Sequence, residues 1–265
     1  MKTAVCFLCH IFDDFALSQY NKLKESILHN QTLYWVHTTR PTNLFFKIHG
    51  IENDVYIEPR KNYFDKNNRN HPNNAYVFVD TFKKLEGCAD FYTFIEYDVM
   101  INSVNESPFN ALMNFLENDS YIRNYDLIAD HISSYTTNHV YNIRYEFFDL
   151  RKRYPMIDRL NLTRKDIHFA FYSVCRFSKR FFTELLESPD YIDIFFEIGL
   201  TTFAYVKDMT IGTLHNSFSY DIQAAAGSNH SKINNGSNSY VIKEYKEYWE
   251  NYPEGAIIHP VKKNS

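Results

Sequence analysis

Two acids stand two residues apart near the end of an apolar run, Glu96 and Asp98 in "FYTFIEYDVMIN" (91–102). Along an extended strand alternate side chains share a face, so this spacing projects Glu96 and Asp98 together and turns Tyr97 away. Two carboxylates at the carboxyl end of a strand make a hard, anionic oxygen site suited to Mn2+ or Mg2+. A cation held there can chelate a diphosphate, neutralise it and stabilise it as a leaving group. Burying both acids without a cation is costly. The structural alternative is that one acid caps the next helix while the other pairs with an Arg or Lys.

The elements that must position this pair read as strand–helix–strand units. Residues 3–9 ("TAVCFLC") form a first strand, and 13–30 follow with acids at the start and helical apolar spacing. Strands are expected at 32–39 and 54–58, a polar loop at 59–74, and a helix over 75–87 that Gly87 terminates. The acidic strand then closes the first half. The second half is less regular: a helix over 107–118, a strand over 125–130 and an apolar strand over 168–178. Helices over 179–190 and 191–208, a polar loop at 228–239 and a closing strand at 255–263 complete it. Strands alternating with helices imply an α/β fold whose central sheet is mainly parallel and covered on both faces. No repeat or linker divides the chain, so 1–265 is read as one domain, with a nucleotide-binding half (1–102) and an acceptor half (103–265).

This order of elements resembles the GT-A glycosyltransferases, and bacterial, inverting-like members in particular. "YTFIEYDVMIN" looks like the D-x-D segment of that fold with Glu in first place. "RFSKRFFTELLES" followed by "FFEIGLTTFAYVKD" is similar to the part that carries an acid on a helix as catalytic base. "IIHPVKK" is similar to the terminal segment that returns a histidine to the site. The resemblance implies a metal-dependent transferase moving a sugar from a nucleotide-sugar donor to a hydroxyl of a glycan or glycolipid, as in polysaccharide biosynthesis. It implies that Asp98 and His259 bind the metal, while Glu96 contacts the ribose or a metal-bound water. His10, Phe12 and Asp13 follow the first strand, where base and ribose would lie. Glu197 is the implied base, and its neighbours Phe195, Phe196, Ile198 and Leu200 would favour taking a proton from an acceptor hydroxyl. Each role has a plainer counterpart: Asp13 or Asp14 caps the next helix, Glu197 is a surface acid among core neighbours, and an isolated His259 is structural. Asp130 and Asp208 are alternates for the base, and Arg60 and Arg69 could reach phosphate.

Composition excludes some classes. A net charge of −4 leaves no broad footprint for nucleic acid. Basic clusters at 151–155 ("RKRYP") and 260–265 ("PVKKNS") are short enough to be solvated surface, although either could touch an anionic substrate or a lipid headgroup. The content of 23 Phe and 21 Tyr reads as compositional drift. Cys6 and Cys9 form a C-x-x-C inside an apolar strand, where a redox thiol would not be exposed, so they read as core residues. Four dispersed cysteines suit a reducing, cytoplasmic setting. The apolar stretch 4–12 is short and ends in "DD", so it reads as a strand and not a signal peptide. With no run of membrane-spanning length, attachment to the inner face of a membrane would be peripheral. Two rival functions remain: a non-catalytic scaffold of the same fold, and a phosphoryl-transfer hydrolase using Asp98 as nucleophile. The position of the acids after the fourth strand instead of the first disfavours the hydrolase.

Overall fold

The computed structural model describes residues 1–41, 44–59, 75–101, 109–119, 122–136 and 147–214, and the backbone of 240–241, 257–258 and 261–262. Its centre is a seven-stranded sheet in the order β3-β2-β1-β4-β7-β6-β8. The strands are β1 (Thr3–Leu8), β2 (Gln31–His37), β3 (Asp54–Tyr56), β4 (Phe91–Glu96), β6 (Leu127–Ser134), β7 (His168–Ser178) and β8 (Ile211–Thr213). All neighbours are parallel except β7, which runs antiparallel to both β4 and β6. The sheet is therefore mainly parallel, as the alternation of strands and helices implied.

Side-chain alternation explains why the strands read as unbroken apolar runs. From β1, Ala4 and Cys6 join one buried layer while Val5 and Phe7, with Cys9 just past the strand, join the other. Both faces are covered, so neither can be polar. Cys6 and Cys9 thus lie in different layers, and all four cysteines are free thiols. The aromatic bias also finds a place. Phe78, Phe82, Tyr92, Phe94, Phe177, Phe181 and Phe182 are buried in one layer. They make tilted or edge contacts such as Phe78 to Phe94 at 4.6 Å and Phe177 to Phe181 at 4.7 Å. Offset and edge geometries of this kind add to what burial alone contributes.

The helices are shorter than the sequence suggests. α1 (Asp14–Glu25) buries Ala16, Gln19, Tyr20 and Leu23, one stripe at three- and four-residue spacing. Asp13 is its N-cap and accepts the Ala16 N–H at 2.8 Å. α2 (Phe45–Ile48) was not expected, being too short for a periodic signal. α3 (Ala75–Lys84) ends three residues before Gly87, which takes the left-handed φ of 63° that the turn requires. α4 (Asn110–Asn118) packs beneath the sheet. α5 (Phe147–Arg153) and α6 (Met156–Arg159), neither expected, occupy the stretch before β7. α7 (Lys179–Leu186) is capped by Ser178, which accepts the Phe181 N–H at 3.0 Å.

Two boundaries matter for the site. The strand expected over 91–102 ends at Glu96; Tyr97 and Asp98 form a turn closed by the Val99 N–H to the Glu96 carbonyl at 3.1 Å. A short β5 (Met100–Ile101) follows and pairs antiparallel with β10 (Ile257–Ile258). The helix expected over 191–208 is α8, Phe196–Val206, preceded by a 3-10 turn at Pro189–Tyr191. Phe195 is extended at φ −47°, ψ 130° and marks the break, so Glu197 stands in the first turn of α8 instead of its middle. Two further two-residue strands, β9 (Tyr240–Val241) and β11 (Val261–Lys262), pair in parallel. No helix among the described residues is long and apolar enough to cross a membrane.

Candidate functional site

The strand order fixes where a ligand can enter. From β1 the chain winds outward to β2 and β3, then returns across β1 to add β4 on the other side. Loops leaving the carboxyl ends of β1 and β4 therefore diverge, which opens a crevice at this topological switch point. Leu8 lies opposite Glu96, and the Tyr97 N–H extends the pairing to the Leu8 carbonyl at 3.0 Å. The segment that carries His10, Phe12 and Asp13 therefore starts beside the end of β4, where Glu96 is the last residue and Asp98 lies two positions on.

Each of these side chains has a definite setting. His10 is exposed and meets the Tyr97 ring edge-on at 5.4 Å. Phe12 is half-buried, stacked on Trp35 at 6.1 Å and flanked by His37, Phe45 and Phe46. It forms an aromatic wall beside the crevice. Asp13 is exposed and its Oδ1 caps α1. Glu96 is half-buried at the end of β4. Asp98 is only 5% exposed in the turn beyond it. Because Asp98 occupies a turn, strand alternation does not govern its direction. The charge of Glu96 acts on the thiol of Cys175, whereas that of Asp98 acts on Cys9.

The residue that sequence reasoning passed over is Tyr97, which it took to point away. Its phenol is raised above its ordinary range, by burial first and then by the charges of Asp98, Cys9, Glu96 and Asp13. Asp13 belongs to the loop after β1, whereas Glu96 ends β4 and Asp98 follows it. The Cys9 thiol beside it donates to the Ile11 carbonyl at 2.9 Å. It is pushed up to about 12, chiefly by burial and further by Asp13 and Asp98. Its position between the two acids is the signal that could have found Tyr97.

The chemistry of this donor set is that of hard oxygen. Among the described residues no three His, Cys, Asp or Glu side chains are grouped closely enough to cage an ion. Mg2+-like cations are commonly held by one or two carboxylates, with water and substrate phosphate filling the remaining positions. Glu96, the last residue of β4, and Asp98, in the turn beyond it, are the two carboxylates of that kind at this end of β4. His259 lies outside the described residues. Its neighbour Ile258 pairs with Met100, so the backbone of the terminal segment does run alongside the stretch that follows Asp98. Arg60 and Arg69 lie outside the described residues, as do the loop at 228–239 and the side chain of Asp130.

Glu197 occupies a separate neighbourhood. It is half-buried in the first turn of α8, where the helix dipole favours negative charge. Its charge contributes to raising the Tyr172 phenol, which burial dominates and a hydrogen bond with Thr201 opposes. Tyr172 belongs to the layer of Cys6, Phe94 and Cys175, whereas Tyr97 and Cys9 belong to the opposite layer. Asp208 is exposed at φ 48° just past the end of α8.

No family model matches the chain, and no curated protein matches it. Among solved structures it is similar to the glycosyltransferase GlyE of Streptococcus pneumoniae TIGR4, with a TM-score of 0.51 and 12% identity. The match covers 99% of this chain and 55% of GlyE, so the chain spans about half the length of that protein. An active-site mutant of LgtC is similar at TM-score 0.47 and 11% identity, covering 97% of this chain and 86% of LgtC. The likeness to GlyE is one of fold, and the fold is of the GT-A type.

Proposed function

We propose that the chain is a glycosyltransferase that moves a sugar from a nucleotide-sugar donor to a hydroxyl of a glycan or glycolipid acceptor, with Mn2+ or Mg2+ as cofactor. The observation that supports this reading is that the carboxyl ends of β1 and β4 lie side by side at the switch point of a GT-A-type sheet, with Asp13 on the loop after β1 and Glu96 and Asp98 at the end of β4. The crevice between the β1 and β4 loops is where a nucleotide would bind in an open α/β sheet.

In this reading Phe12, backed by Trp35, offers a flat apolar surface to the base, and His10 and Asp13 face the ribose. Asp98 and His259 would hold the cation, and Glu96 would contact the ribose or a metal-bound water. Bound there, the cation supplies positive charge against the two phosphates of the leaving nucleoside diphosphate. A base would take the proton of the acceptor hydroxyl; Glu197, which the resemblance implies for that role, acts on the Tyr172 layer, where Glu96 also acts through Cys175, and not on the layer of Asp98. The freed oxygen forms its bond to the anomeric carbon as the bond from that carbon to the diphosphate oxygen breaks, with inversion.

The test is a nucleoside-diphosphate release assay across a panel of nucleotide-sugars, with and without EDTA, accompanied by thermal shifts with Mn2+ and each diphosphate. One donor should be turned over, EDTA should abolish release, and Asp98→Asn should remove both release and the Mn2+-dependent shift. Binding of a donor without release would make the chain a binding module. No binding and no release with any donor would end the proposal.

A further inference from the structure

The basic run at 151–153 plays no part in the reading above, yet it has a definite setting. α5, α6 and the turn that leads into β7 enclose an open groove of about 750 Å3. Phe147, Arg151, Asp158, Leu162, Arg164 and Lys165 are among its lining residues. Between residues 147 and 166 there are six Lys or Arg against three Asp, a local charge of +3 in a chain whose total is −4. That concentration opposes the sign of the whole molecule and of the switch-point crevice.

A charge run is ordinarily a solvated face, and three observations set this one apart. First, the turn carrying Arg164 and Lys165 is pinned. Asp166 accepts the Thr163 N–H at 2.7 Å and the Thr163 hydroxyl at 2.6 Å, and Leu162 donates back to the Ile157 carbonyl at 2.9 Å. Second, two cations are pre-aimed: the Arg164 guanidinium lies 5.7 Å from the centre of the Phe147 ring, and Arg151 Nε is held by Asp158. Guanidinium groups fixed in this way lose less rotamer freedom on binding an oxyanion. Third, the groove is at the functional end of the sheet. Ser134 pairs with His168 and the Tyr135 N–H meets the Ile167 carbonyl at 2.8 Å, so the turn adjoins the carboxyl end of β6. That end is shared with Asp98, because β6 runs in the direction of β4.

We propose that this groove is a subsite for a phosphate ester. Arg151, Arg164 and Lys165 receive the phosphoryl oxygens, and Phe147 and Leu162 contact the organic part. Planar guanidinium forks and an ammonium group suit a phosphoryl group better than a lone carboxylate. The groove is large enough for a sugar-sized body beside the phosphate. The ester could be a soluble phosphorylated saccharide or a lipid headgroup. Phe148, 70% exposed and one helical turn from Lys152, gives the second source an apolar foothold. The inference goes beyond the transferase reading and does not depend on it, since its test reads binding and not turnover.

The full chain is titrated calorimetrically with glucose 1-phosphate and with glucose, and floated with vesicles of phosphatidylcholine with or without phosphatidylglycerol. The variants are Arg164→Ala/Lys165→Ala and, keeping a stem over Phe147, Arg164→Gln. The control Lys24→Ala/Lys83→Ala removes the same charge from exposed positions on α1 and α3. The double groove variant should bind about ten-fold more weakly or worse, at unchanged melting temperature, while the control binds as wild type. If that variant unfolds, Arg164→Gln should show the same direction of loss. Binding of glucose 1-phosphate alone identifies a saccharide phosphate, and flotation with the anionic vesicles alone identifies a headgroup. No binding in either arm, or an equal loss in the control, overturns the proposal.

Discussion

Gly199 should reverse the usual effect of replacing a helical glycine by alanine. α8 crosses the 3-10 turn so closely that a Cβ on Gly199 would lie 2.3 Å from the Tyr191 carbonyl oxygen. It would also lie 3.0 Å from Ile194 Cβ and 3.2 Å from the Ile194 carbonyl oxygen. Ordinary C···O contacts are about 3.3 Å or longer, so the helix must retreat by roughly 1 Å from the turn. Two of the three obstructing atoms are backbone and cannot rotate aside. Alanine gains about 0.5–1 kcal/mol over glycine in a helix interior. Overpacking a closed site costs about 1–3 kcal/mol, and backbone obstruction places this one toward the upper end. The net expectation for Gly199→Ala is a loss of roughly 1–2 kcal/mol. Urea denaturation should show a lower midpoint with an unchanged slope, and the melting temperature should fall by about 2–4 °C for each kcal/mol. Because Glu197 lies two residues upstream, its first turn shifts with the helix. A variant as stable as wild type, or more stable, would show that α8 does not approach the turn this closely and would refute the reasoning.

Asp13→Ala removes the N-cap of α1 and should cost about 1 kcal/mol in thermal denaturation. Asp13→Asn should keep that stability while losing any donor contact that needs the charge, which separates the two roles. Of the four thiols, Cys88 alone is exposed. A native-state titration with a thiol reagent should therefore modify one cysteine quickly and all four only after unfolding; two fast thiols would show that a buried strand opens. Asp166 is held below its ordinary carboxyl range, by the Thr163 hydroxyl first and the Thr163 N–H second. Its folded value lies below its unfolded one, so its contribution is present above the unfolded value and lost as pH falls through the folded one. Asp166→Asn should thus be less stable than wild type at neutral pH, and the gap should close on acidification. A gap independent of pH would show that the carboxylate charge is not what pins the turn.

Much of the fold was legible because parallel strands buried on both faces read as apolar runs, as at β1, β4 and β7. Direction was not legible for the same reason. An antiparallel β7 buried on both sides carries no periodicity to distinguish it from its parallel neighbours. The end of β4 was hidden because Val99, Met100 and Ile101 keep the run apolar beyond the turn at Tyr97 and Asp98, which has no glycine or proline to mark it. The start of α8 was hidden similarly, since Ile192, Ile194, Phe195 and Phe196 continue the hydrophobic pattern across a break that only backbone geometry reveals. The acids of the candidate site were visible as residue types. Their shared neighbour Tyr97 was not, because it depends on Asp13 arriving from another loop.

Buried polar groups at the two ends of the sheet have different surroundings. At the amino end, Glu117 accepts from Thr3, Asn30 and Gln31, which ties α4 to the starts of β1 and β2. Asp126 accepts from Ser178 at 2.8 Å, from Arg180 at 3.2 Å and from both the N–H and hydroxyl of Thr210, which joins β6, β7, α7 and the approach to β8. Arg176, 1% exposed, donates to the carbonyls of Leu116 and Arg123 and lies 4.0 Å from the centre of the Phe91 ring. Burial lowers its guanidinium to about 10, so it still carries its charge at neutral pH. Apart from Arg176 Nε, which is buried without a hydrogen-bond partner among the described residues, these groups are paired, and breaking a pair strands its partner away from water. At the carboxyl end, Asp13, Glu96 and Asp98 instead bear together on one phenol.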